Sequence, residues 1–247
     1  MAWKLSSDPR ISAQALERQM RNWELARTQR PGGLQGERPE VEDFITISRE
    51  VGVAVGDVAQ RLGRRLGWPV FDRNLLDSMA GDDAVRQRIY ESLDQRDLKW
   101  WEEALVGLFD EGFVRNDYFH RLCESVLSLA RQGNCIFVGR GCDRLLPDRL
   151  GFRVRLVAPA PMRLDRFARV RGFKQQEAQR EMDRVESDRN HFLRNHFKVD
   201  AGDVTRHDLT INLERLSVDQ AVDIVLDARR VRQRSLVGEK YASAHAE

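Results

Sequence analysis

The chain has 247 residues, of which 41% are hydrophobic and 32% charged, and its formal net charge at pH 7 is +2. This composition excludes a disordered chain and fits one main globular domain. No apolar run approaches the roughly 20 residues that span a bilayer, and the first ten residues lack the apolar segment of a secretory signal. We therefore expect a cytoplasmic protein without a membrane anchor.

The first predicted unit, residues 1–42, combines an amphipathic helix with a linker. Residues 11–29 space their apolar side chains as a helix does, and the stretch that follows gathers proline, glycine and acidic residues without periodicity. The core domain is predicted over residues 43–232, and residues 233–247 form a predicted polar C-terminal tail.

Within the core domain, short apolar runs alternate with segments of helical periodicity. The strand candidates, in chain order, are FITI, WPVF, NCIFVG, FRVRLVA and DLTINL, and the longest helix is predicted over residues 174–197. Such alternation indicates an α/β domain with right-handed crossovers and a mainly parallel sheet flanked by helices. Ligands of such sheets bind at the carboxyl ends of the strands.

Three loops that leave these strands carry polar residues or glycines. They are Ser48–Gly56, Asp72–Arg73 and Gly139–Arg140–Gly141. Because the strands are parallel, we expect the three loops at one rim, where backbone amides and arginines favour an anionic ligand. The alternative is that Asp72, Arg73 and Arg140 are solvated or form local salt bridges.

The basic residues are 36 arginines and only five lysines. Codon bias accounts for most of such an excess, but thirteen arginines and one lysine fall between Arg140 and Arg194. Arginine binds phosphate oxygens in two-pronged geometry, so this region is a candidate phosphate clamp. The three cysteines lack CxxC spacing, and His191 and His196 are five residues apart, so we predict neither a disulfide nor a metal site.

Three stretches together carry a specific resemblance. ITISREVGVAVGDVAQRLGRRLGWPVFDRNLL, IFVGRGCDRLLPD and DLTINLERLSVDQAVDIVL resemble, in order and spacing, the cytidylate kinase-like family of P-loop nucleoside monophosphate kinases, over about residues 43–228. The resemblance implies a P-loop fold with a mostly parallel five-stranded sheet and a helical, arginine-rich lid. It also implies transfer of the γ-phosphoryl group of ATP, with Mg²⁺, to a nucleoside monophosphate such as CMP.

The resemblance further implies site residues. The catalytic candidates are Arg49 and, on the lid, Arg184, Asp188 and Arg189. The nucleotide-binding loop contains Gly52, Ala54, Val55, Gly56 and Asp57, and the acceptor pocket contains Asp72, Arg73 and Arg140.

The phosphate-binding loop is degenerate. A Walker loop ends in G-K-[ST], in which lysine neutralises the β- and γ-phosphates, but Ala54, Val55 and Gly56 occupy these positions. The family commonly reads S-R-E-x-G-x-G-G, so Ala54 and Val55 also replace its two later glycines. Positive φ is costly for a β-branched residue, so either the loop follows another path or the phosphate is held less tightly. Arg49 and the lid arginines are candidate replacements for the lost charge, and Asp57 could contact magnesium or repel a phosphate.

Two other classes of function stay open. The first is a catalytically impaired pseudoenzyme that binds a nucleotide, another phosphate ligand or a protein partner. The second, less favoured, is a nucleic-acid-binding module, because Trp100–Trp101 and the arginines could stack on and clamp a single strand. On the lid, Arg184 and Asp188 are four residues apart and could form an ordinary surface ion pair. Base preference and oligomeric state are not predicted.

Overall fold

The computed structural model describes residues 43–81, 117–147 and 150–244. Strands and helices alternate along this part of the chain. The strands are β1 (Phe44–Arg49), β2 (Val70–Phe71), β3 (Cys135–Val138), β4 (Phe152–Val157) and β5 (Leu209–Asn212). The helices are α1 (Val55–Leu66), α2 (Arg73–Gly81), α3 (Asp117–Gln132), α4 (Cys142–Leu145), α5 (Ala160–Arg171), α6 (Gln175–Phe197) and α7 (Val218–Ala244).

The five described strands form one sheet in the order β2-β3-β1-β4-β5. Each neighbouring pair is parallel, and β1 lies at the centre, hydrogen-bonded to β3 on one side and to β4 on the other. The predicted parallel five-stranded α/β architecture is therefore confirmed. Since all five strands point the same way, their carboxyl ends form the rim on which the polar loops lie.

Two hydrophobic layers cover the sheet because successive side chains of each strand point to opposite faces. On β1, Phe44 packs with the residues of α2 and α3, whereas Ile45 and Ile47 pack with those of α1 and α7. A third, small cluster joins α5 to α6 through Phe167, Ala178 and Met182. We call this helix pair the lid; it has its own apolar contact outside the two main layers.

Several predicted segments lie outside the described residues or differ from them. The N-terminal helix and linker of residues 1–42 and the Trp100–Trp101 segment are outside. Helix α7 extends to Ala244, beyond the predicted domain end at residue 232, because polar composition alone does not end a helix. Among the described residues, no helix is both long enough and apolar enough to cross a bilayer.

Candidate phosphate-binding site

A cavity of about 350 Å³ lies at the carboxyl ends of β1 and β3, beneath the C-terminal half of α6. The loops predicted to share one rim contribute to it through Arg49, Arg73 and Arg140. Six arginines line this cavity, which we call the arginine cavity: Arg49, Arg73, Arg140, Arg144, Arg155 and Arg189. Such a concentration of guanidinium groups is the electrostatic signature of an anion site.

An unusual turn after β3 positions Arg140. Gly139, Arg140 and Gly141 all adopt positive φ angles, of 78°, 55° and 68°. A left-handed conformation is uncommon for a non-glycine residue and is often found at ligand sites. The second glycine is required by close packing as well, since a Cβ on Gly141 would lie 2.3 Å from a ring atom of Phe197.

Asp77, on α2, holds the two arginines that were predicted to grip the acceptor phosphate. Arg140 donates from Nε to Asp77 Oδ1 at 2.7 Å and from Nη2 to Asp77 Oδ2. Arg73 Nε lies 3.6 Å from the same carboxylate, and the Tyr118 hydroxyl donates to it. This role of Asp77 was not predicted, because Arg73 and Asp77 are four apart on a helix and match an ordinary i,i+4 pair.

Three other arginines of the cavity have no such ion-pair partner among the described residues. Among the described residues, no carboxylate forms an ion pair with Arg49, Arg155 or Arg189, which come from β1, β4 and α6. Burial lowers the pKa of Arg49 to about 10, with further lowering by Arg189, Arg73 and Arg140. Burial also lowers the pKa of Arg189 and Arg155 adds to that effect, while Glu186, Asp143 and Glu50 oppose it. Arg155 is buried and Arg49 and Arg189 are half-buried, and partly desolvated cations that repel one another favour an anionic ligand.

Arg155 and His207 form the inner end of the cavity, and sequence analysis missed both. Arg155 is 6% exposed and donates from Nη1 to the Ala201 carbonyl at 2.7 Å. The His207 Nε2 atom lies 2.7 Å from Ser48 Oγ and 3.8 Å from Asp143 Oδ2. Burial lowers the pKa of His207, and Asp143 opposes this shift. A polar side chain on a buried strand was the available signal for Arg155.

Asp72, predicted to bind the acceptor, caps α2 instead of lining the cavity. Its Oδ1 accepts a hydrogen bond from the Leu75 backbone N–H at 3.0 Å, as helix-capping carboxylates do. Burial raises the pKa of Asp72, although the hydrogen bond from Leu75 opposes the shift. Asp72 lies between the end of β2 at Phe71 and the start of α2 at Arg73.

The predicted lid residues separate into two groups. Asp188 and Arg189 line the arginine cavity, whereas Arg184 does not. Arg184 is exposed and pairs with Glu181 at 2.7 Å and with Asp188 at 2.8 Å. This geometry is that of a surface ion pair on one helix. Arg189 is therefore the α6 arginine that faces the cavity.

The loop between β1 and α1 follows a path different from a Walker loop. The Val53 N–H donates to the Glu50 carbonyl at 3.4 Å, and the Val55 N–H donates to the Val53 carbonyl at 2.9 Å. Ala54 has φ −75° and ψ 47°, and Gly52, at φ 91°, is the loop's one residue with positive φ. The predicted cost of positive φ at Val55 is therefore avoided, but two amides are used within the loop.

A second cavity, of about 650 Å³, lies on the other side of this loop and is the candidate donor site. Its walls come from Gly52–Ala54, from α5 and from the segment between β5 and α7. Asp57 lies beside it and pairs with Arg166 at 2.9 Å. The Val53 and Val55 amides donate to carbonyls within the loop, and Asp57 pairs with Arg166. The loop in this geometry therefore presents no Walker-type cradle for a triphosphate with Mg²⁺.

The five-stranded parallel sheet in this strand order, flanked by helices, defines a P-loop kinase fold. A sequence model of the cytidylate kinase-like family matches residues 44–215. The chain belongs to the cytidylate kinase-like family, as the sequence resemblance predicted. No curated protein sequence matches the chain.

Three solved structures match the chain at low sequence identity, and the first shares its fold. An uncharacterized protein from Eubacterium ventriosum ATCC 27560 is 21% identical with a TM-score of 0.60, over 75% of this chain and 96% of that chain. Shikimate kinase from Bacteroides thetaiotaomicron is 16% identical with a TM-score of 0.39, over 76% of this chain and 98% of its own. A gluconokinase from Sinorhizobium meliloti 1021 is 12% identical with a TM-score of 0.40, over 81% and 97%.

Proposed function

We propose that the protein is a nucleoside monophosphate kinase that binds its acceptor, such as CMP, through the phosphate in the arginine cavity. ATP, with Mg²⁺, is the second substrate. In the proposed reaction a phosphate oxygen of the acceptor attacks the γ-phosphorus of ATP, and the bond from that phosphorus to the β–γ bridging oxygen breaks. The products are a nucleoside diphosphate and ADP. The proposal includes a cytoplasmic location, where both substrates occur.

The observation that carries this proposal is the gathering of Arg49, Arg155 and Arg189 in one cavity, without a carboxylate partner in the described part of the chain. A phosphate dianion relieves their mutual repulsion and accepts charge-assisted hydrogen bonds from them. Arg73 and Arg140 also line the cavity, but Asp77 already neutralises much of their charge. We therefore assign the main phosphate contacts to the first three and a supporting role to the other two.

Phosphoryl transfer requires mainly positioning and charge stabilisation from the protein. Arg189 is suited to this task because it lies on the lid and lines the cavity close to Arg49 and Arg155. It would hold acceptor oxygens and offset the charge that develops during transfer. Arg49 lines the acceptor cavity and is the last residue of β1, directly before the loop of the donor site, which supports a role for it in stabilising the transferred group.

The test is a panel of nucleoside mono- and triphosphates, measured first by thermal stabilisation and then by transfer of labelled phosphate from ATP. A ligand that binds the folded state raises its apparent stability whether or not turnover occurs. We expect stabilisation by monophosphates and labelled nucleoside diphosphate as product. Stabilisation by no monophosphate would contradict the proposal, because the arginine cavity would then bind some other anion.

A second candidate function has a specific observation in its favour. We call the loop between β1 and α1 the donor loop. The internal hydrogen bonds of Val53 and Val55 close it, which supports a pseudoenzyme that binds a phosphate ligand or nucleotide without turnover. Stabilisation by CMP without labelled product, in the presence of ATP and Mg²⁺, would favour this candidate over the kinase.

A further inference from the structure

Arg163, on the lid helix α5, fastens the donor loop to both helices of the lid. It is 12% exposed, and its Nη1 donates to the Val51 carbonyl at 3.0 Å. The same side chain pairs with Glu50 of the loop at 3.3 Å and with Glu186 of α6 at 3.5 Å. One guanidinium therefore connects the loop, α5 and α6.

Glu50 makes the contacts that a donor phosphate would make. Its carboxylate accepts a hydrogen bond from the Ala158 backbone N–H at 3.3 Å and faces the Arg163 guanidinium. A backbone amide and an arginine are typical ligands of phosphate oxygens. A carboxylate of the chain thus occupies two donors beside the loop between β1 and α1.

The donor loop also packs closely against α5 through the backbone. A Cβ placed on Gly52 would lie 2.4 Å from the Arg163 carbonyl oxygen, so the loop and α5 touch through their backbones. A triphosphate could lie along the loop only if this contact opened. Opening would also free the Val53 and Val55 amides, whose hydrogen bonds belong to the same closed turn.

Carboxylates already pair with the two arginines nearest the donor loop, although Arg169 also lines the second cavity. Three carboxylates, Glu50, Glu186 and Asp57, pair there with two guanidinium groups, those of Arg163 and Arg166. In the arginine cavity, by contrast, three cations have no carboxylate ion-pair partner among the described residues, although Asp143, Asp188 and Asp200 also line it. The two cavities therefore differ in how many of their arginines are already paired with a carboxylate.

We propose that Glu50 and Glu186 are built-in competitors of the triphosphate for Arg163, which is the donor-site phosphate ligand of this chain. This proposal rests on the proposed function, which identifies the donor as a nucleoside triphosphate. Binding exchanges the two carboxylates for phosphate oxygens and opens the loop. The donor site is thereby autoinhibited, while the acceptor site is not.

The experiment is calorimetric titration of ATP with Mg²⁺, and of inorganic tripolyphosphate, into wild type, Glu50→Gln and Glu186→Gln. Glutamine keeps the size and a hydrogen-bond acceptor but removes the charge. The matched control is Glu181→Gln, which removes an α6 carboxylate that pairs with exposed Arg184 instead. We expect affinity to rise about tenfold in Glu50→Gln, the value of one charge-assisted hydrogen bond, and less in Glu186→Gln.

Adding Arg163→Ala to Glu50→Gln should abolish the gain, because the freed guanidinium is what the phosphate binds. The proposal is overturned if neither glutamine variant exceeds wild type and Glu181→Gln, or if the gain survives Arg163→Ala. Should Glu50→Gln fail to fold, Glu186→Gln tests the same competition for Arg163. CMP titrated into the wild-type protein and into Glu181→Gln reports separately on the proposed function, because Glu50 and Glu186, which act on Arg189, are unchanged in both.

Discussion

Arg140 and Asp77 form a two-pronged ion pair, in which Nε donates to Oδ1 at 2.7 Å and Nη2 donates to Oδ2. The Arg140 guanidinium also lies over the Phe192 ring, 5.2 Å from its centroid. The pair fixes the direction of Arg140 at the mouth of the arginine cavity. It also means that loss of Arg140 would expose a carboxylate to the ligand, so the two residues must be tested together.

A double-mutant cycle measures this coupling. Arg140→Ala should weaken CMP binding by about 1.5–3 kcal/mol, since it removes a charge-assisted donor and leaves Asp77 facing the anion. Asp77→Ala/Arg140→Ala should lose less, because the repelling carboxylate is gone as well. Calorimetric titration of the wild type, both single variants and the double variant gives the coupling energy. Unchanged affinity in Arg140→Ala would remove this residue from the site.

Arg189 should show opposite effects on stability and on binding. Because burial and Arg155 both lower the pKa of Arg189, its charge is unfavourable in the folded protein. Arg189→Met should raise the melting temperature and weaken CMP binding by at least the roughly 1.5–3 kcal/mol expected for Arg140→Ala, because Arg189 is assigned a main phosphate contact. Arg184→Met, an exposed change on the same helix, is the control and should alter neither. A loss of both stability and affinity in Arg189→Met would indicate a structural role instead.

His207 should make stability depend on pH. Its pKa is lowered in the folded state, chiefly by burial, so between the folded value and the usual 6.5 the unfolded chain binds more protons. The free energy of unfolding should therefore fall as the pH drops through 6.5 and level off below the folded pKa. Urea denaturation from pH 8 to 5.5 checks this.

The control for the pH effect has to account for a second histidine. The pKa of His196 is also lowered by burial, so both His207→Gln and His196→Gln should be measured. We expect His207→Gln to flatten the pH dependence while His196→Gln retains the His207 contribution. An unchanged slope in His207→Gln would show that His207 is not the group responsible.

Glycines in the donor loop should favour an open path. Ala54→Gly/Val55→Gly removes the preference for the tight turn at Ala54, so ATP affinity should rise, and more than in Val55→Lys, which adds charge without changing the loop's shape. Stability should fall by about 1 kcal/mol, through added chain entropy. Titration of the three proteins with ATP and Mg²⁺ checks this order. Equal affinities would show that the loop backbone is not what limits ATP binding.

Much of the fold could be predicted because periodicity, glycines and apolar runs are local signals. The five strand candidates became the five described strands, and the helix predicted over residues 174–197 is α6 within a residue. The end of α7 could not be predicted, because no glycine or proline follows residue 232 before Gly238.

The site could be predicted only in part. Arg49, Arg73, Arg140 and Arg189 were expected near one another because they follow parallel strands or lie on the lid, and all four line one cavity. Their charge balance could not be predicted, since it depends on Asp77 and Arg155, whose contacts are distant in sequence. The backbone path of the donor loop could not be predicted either, because it depends on packing between Gly52 and the Arg163 backbone.

The assignment of the arginine cavity as a monophosphate site is tested by a calorimetric comparison of CMP and cytidine as ligands of the wild-type protein. The two ligands share the base and sugar and differ in the phosphate that the arginine cavity is proposed to hold. We predict that CMP binds and that cytidine binds at least about a hundredfold more weakly, as expected for the loss of two charge-assisted contacts. Equal affinities, or no binding of CMP, would contradict the assignment of the arginine cavity as a monophosphate site.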